Sequence, residues 1–449
     1  MKPYLYCLME VGTREFLARC LTSCVAAERG FTVLLGHQYT LLEHATVFPP
    51  GIYLSKGTNA ISTTNMKLAK EYGHVNAACE EENFFRVLQG NPIFCSDRHL
   101  PEVCDAFLTM GQEETDFMHE RFGETLKVFQ CGNARADILR PEFRSFFDDD
   151  VRAIKERFGR YILVNSNLGI TNSSSVDSSP DDIFASWIDS EIFDPALSVS
   201  QRKNIFEDFV SFEKGNAQTL RNLMSELAQR EFNVILRPHP GENKGTWEKF
   251  VRDLNSQNIK CMSEGSHIPM ILGADLVVHT ACTTGVEALL LNVPALSART
   301  TDSDANNYYL SNRFNVTADN VADATEQIDR LMVGDTAISD ARPELMTGMS
   351  HYLDALESGP LAADQIVDVL EDLSVKTGEP KYQGSTSRQE EPSIISESKH
   401  FSEGQFFRQK YGVTPELMEN TVGRFKEVLG RFQDVHAEQL SESVWKISR

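Results

Sequence analysis

The sequence predicts an α/β protein built from two doubly wound units, and three observations predict it. Short apolar runs recur along the chain with helix-like stretches between them, the alternation that parallel strands and crossover helices produce. The runs end in polar or glycine-containing loops, as Phe31-Thr-Val-Leu-Leu35 does in Gly36-His-Gln38. The alternation starts twice, at Tyr4 and at Tyr161, in a chain of 449 residues, which is long for one core.

Taken in order, Tyr4–Met9 reads as a first strand, Arg14–Arg29 as a helix closing on Gly30, and Phe31–Leu35 as a buried strand. Alternation continues through 52–54, a helix over 63–72, then 74–79, 84–88, 106–110 and 128–131, ending near Arg140-Pro-Glu-Phe-Arg-Ser-Phe-Phe147. The second unit opens with Tyr161-Ile-Leu-Val164 and Asn165-Ser-Asn167 at its carboxyl end. Residues 171–182 are rich in Ser, Asn, Asp and Pro and predict a loop or lid. A helix over 203–230 leads to the strand Asn233-Val-Ile-Leu-Arg237, and Asp275-Leu-Val-Val-His279 makes another. The expected domains are therefore 1–145 and 146–374, both Rossmann-like and facing a central cleft, followed by a polar linker over 375–404 and a helical extension over 405–449. In that extension Met418, Val422, Phe425, Leu429 and Phe432 share one helix face, which either packs on its own protein or offers a surface to a partner or a membrane.

Composition narrows the function classes. With 41% hydrophobic and 24% charged residues the chain is an ordinary globular one. A formal charge of −22 argues against nucleic acid as a partner, since affinity for a phosphate backbone comes from Lys and Arg. No apolar run approaches the roughly 20 residues that span a bilayer, and Glu10, Arg14 and Glu15 interrupt the N-terminal run too early for a signal peptide. Nine scattered cysteines lack Cys-x-x-Cys spacing. The expected location is cytoplasmic, with a peripheral place at the inner face of the membrane as a variant.

Two loops carry the chemistry. Arg237-Pro-His-Pro-Gly-Glu242 and Leu276-Val-Val-His-Thr-Ala-Cys-Thr-Thr-Gly-Val-Glu287 each follow an apolar run, and the second leads directly into a helix. Open α/β sheets bind phosphates beyond the carboxyl ends of their strands, where helix N-termini present free N–H groups. A nucleotide-linked sugar is the expected guest, with Arg237, His239, Thr283, Thr284, Gly285 and Asn167 around the phosphate. Plain capping explains the same threonines, and a rigid loop explains the histidine between two prolines. In the first unit Glu80, Glu81 and Glu82 follow the switch from apolar to polar at 75–79. Carboxylates at a strand end are candidates for a base or nucleophile, and a solvated acidic face explains the same three residues. His37, Gln38 and Lys56, at strand ends, are candidates for binding acceptor or donor sugar, and Arg135 lies at the domain junction. No metal is expected at the phosphate motifs and no cofactor beyond the donor substrate, so activity should survive a chelator.

Read together, Leu35-Gly-His-Gln38, Pro49-Pro-Gly-Ile-Tyr-Leu-Ser-Lys56, Glu80-Glu-Glu82, Gly132-Asn-Ala-Arg-Ala-Asp137, Tyr161-Ile-Leu-Val-Asn-Ser-Asn167 and the two loops resemble, in order, bacterial surface carbohydrate biosynthesis proteins. That family is similar to GT-B capsule and lipopolysaccharide glycosyltransferases, and the resemblance covers about residues 1–370. It implies a GT-B fold and transfer of 3-deoxy-manno-octulosonate (Kdo) or a related acidic sugar from a CMP-sugar donor to a glycan or glycolipid acceptor. It also implies His239 near the departing phosphate, Glu287 on the ribose hydroxyls, and Glu81 or Glu82 as the catalytic carboxylate. The chain departs from the family pattern at Asn83, where relatives have Gly, and at Ala134, where they have Pro. Three alternatives stand beside this reading: a UDP-N-acetylglucosamine 2-epimerase-like enzyme, a CDP-polyol phosphotransferase, and a non-catalytic GT-B assembly subunit.

Overall fold

The computed structural model describes residues 3–81, 86–93, 96–174, 179–194, 196–375, 392–402 and 411–449. These form two compact units. Unit 1 takes its residues from Met1–Glu82, Cys95–Phe146 and His351–Arg449, and unit 2 from Asn83–Phe94 and Phe147–Ser350.

Unit 1 contains β1 (Tyr4–Met9), β2 (Thr32–His37), β3 (Ile52–Ser55), β4 (Val75–Ala78), β5 (Ala106–Thr109) and β6 (Val128–Gln130), all parallel. The first three are buried along their whole length, as apolar runs are when helices cover both faces of a sheet. Unit 2 contains β7 (Tyr161–Asn165), β8 (Asn233–Arg237), β9 (Ile259–Cys261), β10 (Leu276–His279), β11 (Ala295–Ala298) and β12 (Val316–Ala318). Its strands lie in the order β12-β11-β10-β7-β8-β9, the dinucleotide-fold order in which the succession of strands reverses between the parallel neighbours β7 and β10. The long helix Val199–Leu227 packs Leu220, Leu223 and Leu227 against this sheet, with Trp247 fully buried in the same core. The fold is thus the α/β class with two Rossmann-like units that GT-B proteins also have.

The C-terminal part departs from its expected form. The helix appears over Pro415–Leu429, but the hairpin β13 (His436–Ser441) and β14 (Val444–Ser448) follows it, and β14 pairs antiparallel with β2. Sheet 1 therefore reads β13-β14-β2-β1-β3-β4-β5-β6. Met418, Val422 and Phe425 are buried, with the Phe425 ring 6.1 Å from Phe143 and 5.2 Å from Phe146, so the apolar face is used inside unit 1 rather than offered to a partner or membrane.

Of the expected linker, 392–402 is packed: Ile395 N–H donates to Leu440 O at 3.0 Å, and Glu397 accepts from Thr40 Oγ1 at 3.1 Å. Residues 351–374 also belong to unit 1. The helix Ala362–Ser374 starts on Asp137, whose carboxylate accepts the N–H groups of Ala362 and Ala363, each at 2.8 Å. The expected strand over 84–88 is reduced, where described, to an isolated bridge between Arg86 and Tyr309. Among the described residues no helix is long and apolar enough to cross a membrane.

Candidate functional site

In unit 2 the predicted loops meet at the carboxyl ends of β7, β8 and β10, the three adjacent strands at the reversal of strand order. Asn165 and Ser166 end β7 and are buried. Asn167 donates through Nδ2 to Ala281 O at 2.9 Å, which ties the β7 loop to the β10 loop.

The β8 loop is organised by Glu242, only 4% exposed. Its carboxylate accepts from Ser166 Oγ at 2.7 Å, Trp247 Nε1 at 2.8 Å, His239 N–H at 3.1 Å and Asn172 Nδ2 at 3.2 Å. Four donors on one buried carboxylate fix this loop's shape, since charged acceptors form the stronger hydrogen bonds. The His239 ring is exposed, and its Nδ1 accepts the Gly241 N–H at 3.1 Å. In the neutral imidazole that acceptance places the proton on Nε2 and makes Nε2–H a donor. Glu213 holds the other side of the β7 loop, accepting from the N–H groups of Ile170 and Thr171. Burial pushes its pKa up to about 7 against those bonds.

The remaining predicted residues of this unit divide into two groups. Arg237 stands at the end of β8, but its guanidinium donates to Glu264 O at 2.9 Å and Gly265 O at 2.7 Å, holding the loop after β9. Thr283, Thr284, Gly285 and Glu287 lie in the β10 loop and the first turn of the helix Thr284–Leu290. Thr283 makes no side-chain cap, so the capping explanation is not realised. Thr284 Oγ1 faces the Cys282 thiol, whose pKa burial raises to about 11. Gly285 serves close packing: a Cβ there would lie 2.2 Å from His279 Nε2 and 2.3 Å from Asn315 Oδ1. His279 itself is fully buried, bonded to Asn315 at 2.6 Å, and held neutral by burial that lowers its pKa to about 4. Glu287 Oε2 lies 3.1 Å from His267 Nε2.

In unit 1 the strand ends carry a charged network. Lys56 Nζ pairs with Glu10 at 2.7 Å and lies 4.0 Å from Glu15, while Gln38 donates to Glu10 at 3.3 Å. His37 is fully buried, its ring 5.1 Å from Phe401, 5.6 Å from Tyr39 and 6.1 Å from Tyr411, and burial lowers its pKa to about 4. Glu81 is buried between two guanidiniums, 3.4 Å from Arg19 and 3.7 Å from Arg135. Glu80 instead accepts from Thr58 Oγ1 at 2.7 Å and Thr58 N–H at 3.1 Å, bracing the loop after β3. Glu82 lies outside the described residues.

Sequence reasoning did not single out Glu114, which is buried at the end of β5 and accepts the Met110 N–H at 2.8 Å. Burial, with Glu80, Glu113 and Glu81 adding in the same direction, pushes its pKa up to about 8. The signal that located Glu81, a polar switch after an apolar run, is also present at Gly111-Gln-Glu-Glu114. The roles of Glu242 and Glu213 as loop anchors, and the place of His267, had no comparable signal. Asp302-Ser303-Asp304 does have Asp-x-Asp spacing, but both carboxylates are exposed and Ser303 Oγ accepts the Ala305 N–H. Among the described residues no group of three His, Cys, Asp or Glu side chains is placed to hold a metal ion.

No protein-family model matches this chain, and no curated protein matches it. Solved structures do match. UDP-GlcNAc 2-epimerase from Methanocaldococcus jannaschii aligns at 10% identity over 83% of this chain and 100% of that one, with a TM-score of 0.46. The Neisseria meningitidis UDP-GlcNAc 2-epimerase bound to UDP-GlcNAc aligns at 11% identity over 83% and 100%, with a TM-score of 0.47. MnaA from S. aureus, solved with UDP, aligns at 12% identity over 86% and 100%, with a TM-score of 0.47. The likeness is one of fold.

Proposed function

We propose that this chain is an enzyme acting on a nucleotide-linked sugar, with the nucleoside phosphate held in unit 2 at the ends of β7, β8 and β10. The observation that carries the reading is His239, an exposed imidazole whose tautomer the Gly241 N–H sets and whose backbone Glu242 holds. A donor fixed in advance needs no reorganisation when negative charge develops on a departing phosphate. In a chain of net charge −22 such a local donor set is what an anion requires. Asn167, Thr283 and Thr284 supply further polar groups at the same rim, and Glu287 takes the ribose hydroxyls. Arg237 supports the rim through the loop it holds.

The reaction we assign is transfer of Kdo or a related acidic sugar from a CMP-sugar to a glycan or glycolipid acceptor, in capsule or lipopolysaccharide synthesis. Glu81 is its carboxylate, with Glu82 the other candidate, and the ordered motifs of the sequence support the assignment. In unit 1, Arg135 acts on Glu81, Lys56 and Gln38 act on Glu10, and His37 shapes the strand end from within its aromatic cage. The reaction uses no metal, so full activity in a chelator is expected.

A specific observation favours a second reading, a UDP-N-acetylglucosamine 2-epimerase-like enzyme. Burial pushes the Glu114 carboxyl up to about 8, with Glu80, Glu113 and Glu81 adding in the same direction, and a carboxyl raised into that range suits proton exchange at carbon.

Thermal-shift titration with CMP, CDP, UMP and UDP separates the two readings, since a ligand of the native state raises its melting temperature by mass action. Stabilisation by the cytidine nucleotides is expected. A preference for uridine nucleotides, together with epimerisation of UDP-N-acetylglucosamine in a coupled assay, would replace the transferase with the second reading.

A further inference from the structure

We propose that Arg86 receives a second anionic group of the donor, the one beyond the phosphate held by the β7, β8 and β10 loops: the carboxylate of an acidic sugar or the second phosphate of a nucleoside diphosphate. The proposal rests on the nucleotide reading of unit 2. Arg86 lies only four residues after Glu82 in sequence, but the segment Asn83–Phe94 belongs to unit 2. Where described, that segment is anchored at both ends. Val87 N–H donates to Tyr308 O at 3.1 Å and Asp194 N–H donates to Pro92 O at 3.3 Å, with isolated bridges from Arg86 to Tyr309 and from Ile93 to Phe193. Val87, Leu88 and Ile93 are buried, so the backbone that carries Arg86 is fixed.

The anchoring sets Arg86 beside the phosphate rim. Tyr309 packs in one apolar cluster with Ile170 of the β7 loop and Ala281 of the β10 loop. Its hydroxyl lies within electrostatic reach of Arg86, of Glu213 and of Cys282 in the β10 loop. The Arg86 guanidinium is held over the Tyr309 ring, Cζ 5.5 Å from its centroid, and that ring is itself buried. A guanidinium resting on a fixed ring is limited in position while its N–H groups stay available, and their fork matches a carboxylate or phosphate edge. Among the described residues Arg86 forms no ion pair and no side-chain hydrogen bond, although the chain has 65 acidic against 43 basic residues. Glu213 is engaged instead by the Ile170 and Thr171 N–H groups. A half-buried arginine without a carboxylate, in so acidic a chain and next to the rim, suits an anion from outside.

The test is titration calorimetry on the full chain, comparing CDP with CMP, UDP with UMP, and CMP-N-acetylneuraminate, a CMP-linked sugar acid, with CMP. Wild type should bind at least one ligand bearing the second anionic group on the order of tenfold more tightly than the matching monophosphate, the scale of one hydrogen bond to a charged group. Arg86→Ala should abolish that advantage while the monophosphate Kd stays within about twofold, because the loops that hold the first phosphate are untouched. Loss with CDP or UDP assigns Arg86 to the second phosphate, and loss with the sugar acid assigns it to the carboxylate. Arg86→Lys, which keeps the charge without the fork, should retain part of the advantage, and it carries the comparison if the alanine variant does not fold. An advantage unchanged in Arg86→Ala, a wild type that binds all these ligands alike, or equal weakening of monophosphates and their partners would overturn the proposal. Failure of folded wild type to bind any of them would instead refute the nucleotide reading, and the proposal with it.

Discussion

His239 and Glu242 divide two tasks within one loop: the histidine presents a donor, and the buried glutamate holds the backbone that presents it. His239→Ala should therefore lower turnover on the order of 10²-fold, the scale for removing one preorganised donor, with the melting temperature nearly unchanged. Steady-state kinetics beside a thermal melt check this, and a lowered melting temperature with normal kinetics would make His239 structural. Glu114 gives a prediction in pH. Its pKa rises from 4.5 unfolded to about 8 folded, so the unfolded chain releases this proton first as pH increases. Its contribution to stability therefore falls between pH 4.5 and about 8, by at most about 1.4 kcal/mol per pH unit. Glu114→Gln should become more stable relative to wild type over that window, as read by urea midpoints, and the gap should stop widening above it. At this scale the sequence located side chains better than their partners. His239, Thr284 and Glu287 were legible because each follows an apolar run, but the Glu287 partner, His267, lies 20 residues upstream with no motif to mark it.

Among the elements, the tail makes the strongest demand on geometry. A Cβ at Gly12, the first residue of the helix Gly12–Glu28, would lie 1.7 Å from Tyr411 O, and that oxygen belongs to backbone. Neither side can yield by a rotamer change, so Gly12→Ala should cost about 3 kcal/mol or more, beyond ordinary overpacking. Urea denaturation followed by hydrogen exchange at the β14 amides checks it, because the loss should appear where the tail docks. Most strands were legible as apolar runs bounded by polar loops, yet β13 and β14 were not. His436–Ser441 is largely polar, with Leu440 its one buried residue, and the apolar spacing through Phe432 and Val435 read as a continuing helix. The break after Leu429 comes instead at Gly430, in the left-handed region, where a helix ends readily.

For the whole molecule, charge sets how an anion arrives. At −22 the chain repels nucleotides at long range, and salt shortens that repulsion from a reach of about 30 Å at 0.01 M to about 8 Å at 0.15 M. The association rate of the bound nucleotide should therefore rise between those ionic strengths in stopped-flow measurements, whereas steering by a basic surface would make it fall. The two-unit plan was legible because the alternation starts twice. The membership of each unit was not, since it depends on contacts such as Asp137 with Ala362 and Ala363, across more than two hundred residues of sequence.

One pairing has a kinetic meaning. Strand β2 is complete by His37, but its outer neighbour β14 begins at Val444, after the whole of unit 2 has passed. Loop closure over such a separation is slow relative to the local strand–helix–strand closures of unit 2. Until it happens, the outer edge of β2 presents unpaired N–H and C=O groups to other chains. Unit 1 is therefore expected to complete its sheet late, when β14 covers the outer edge of β2 and leaves β13 as the edge strand.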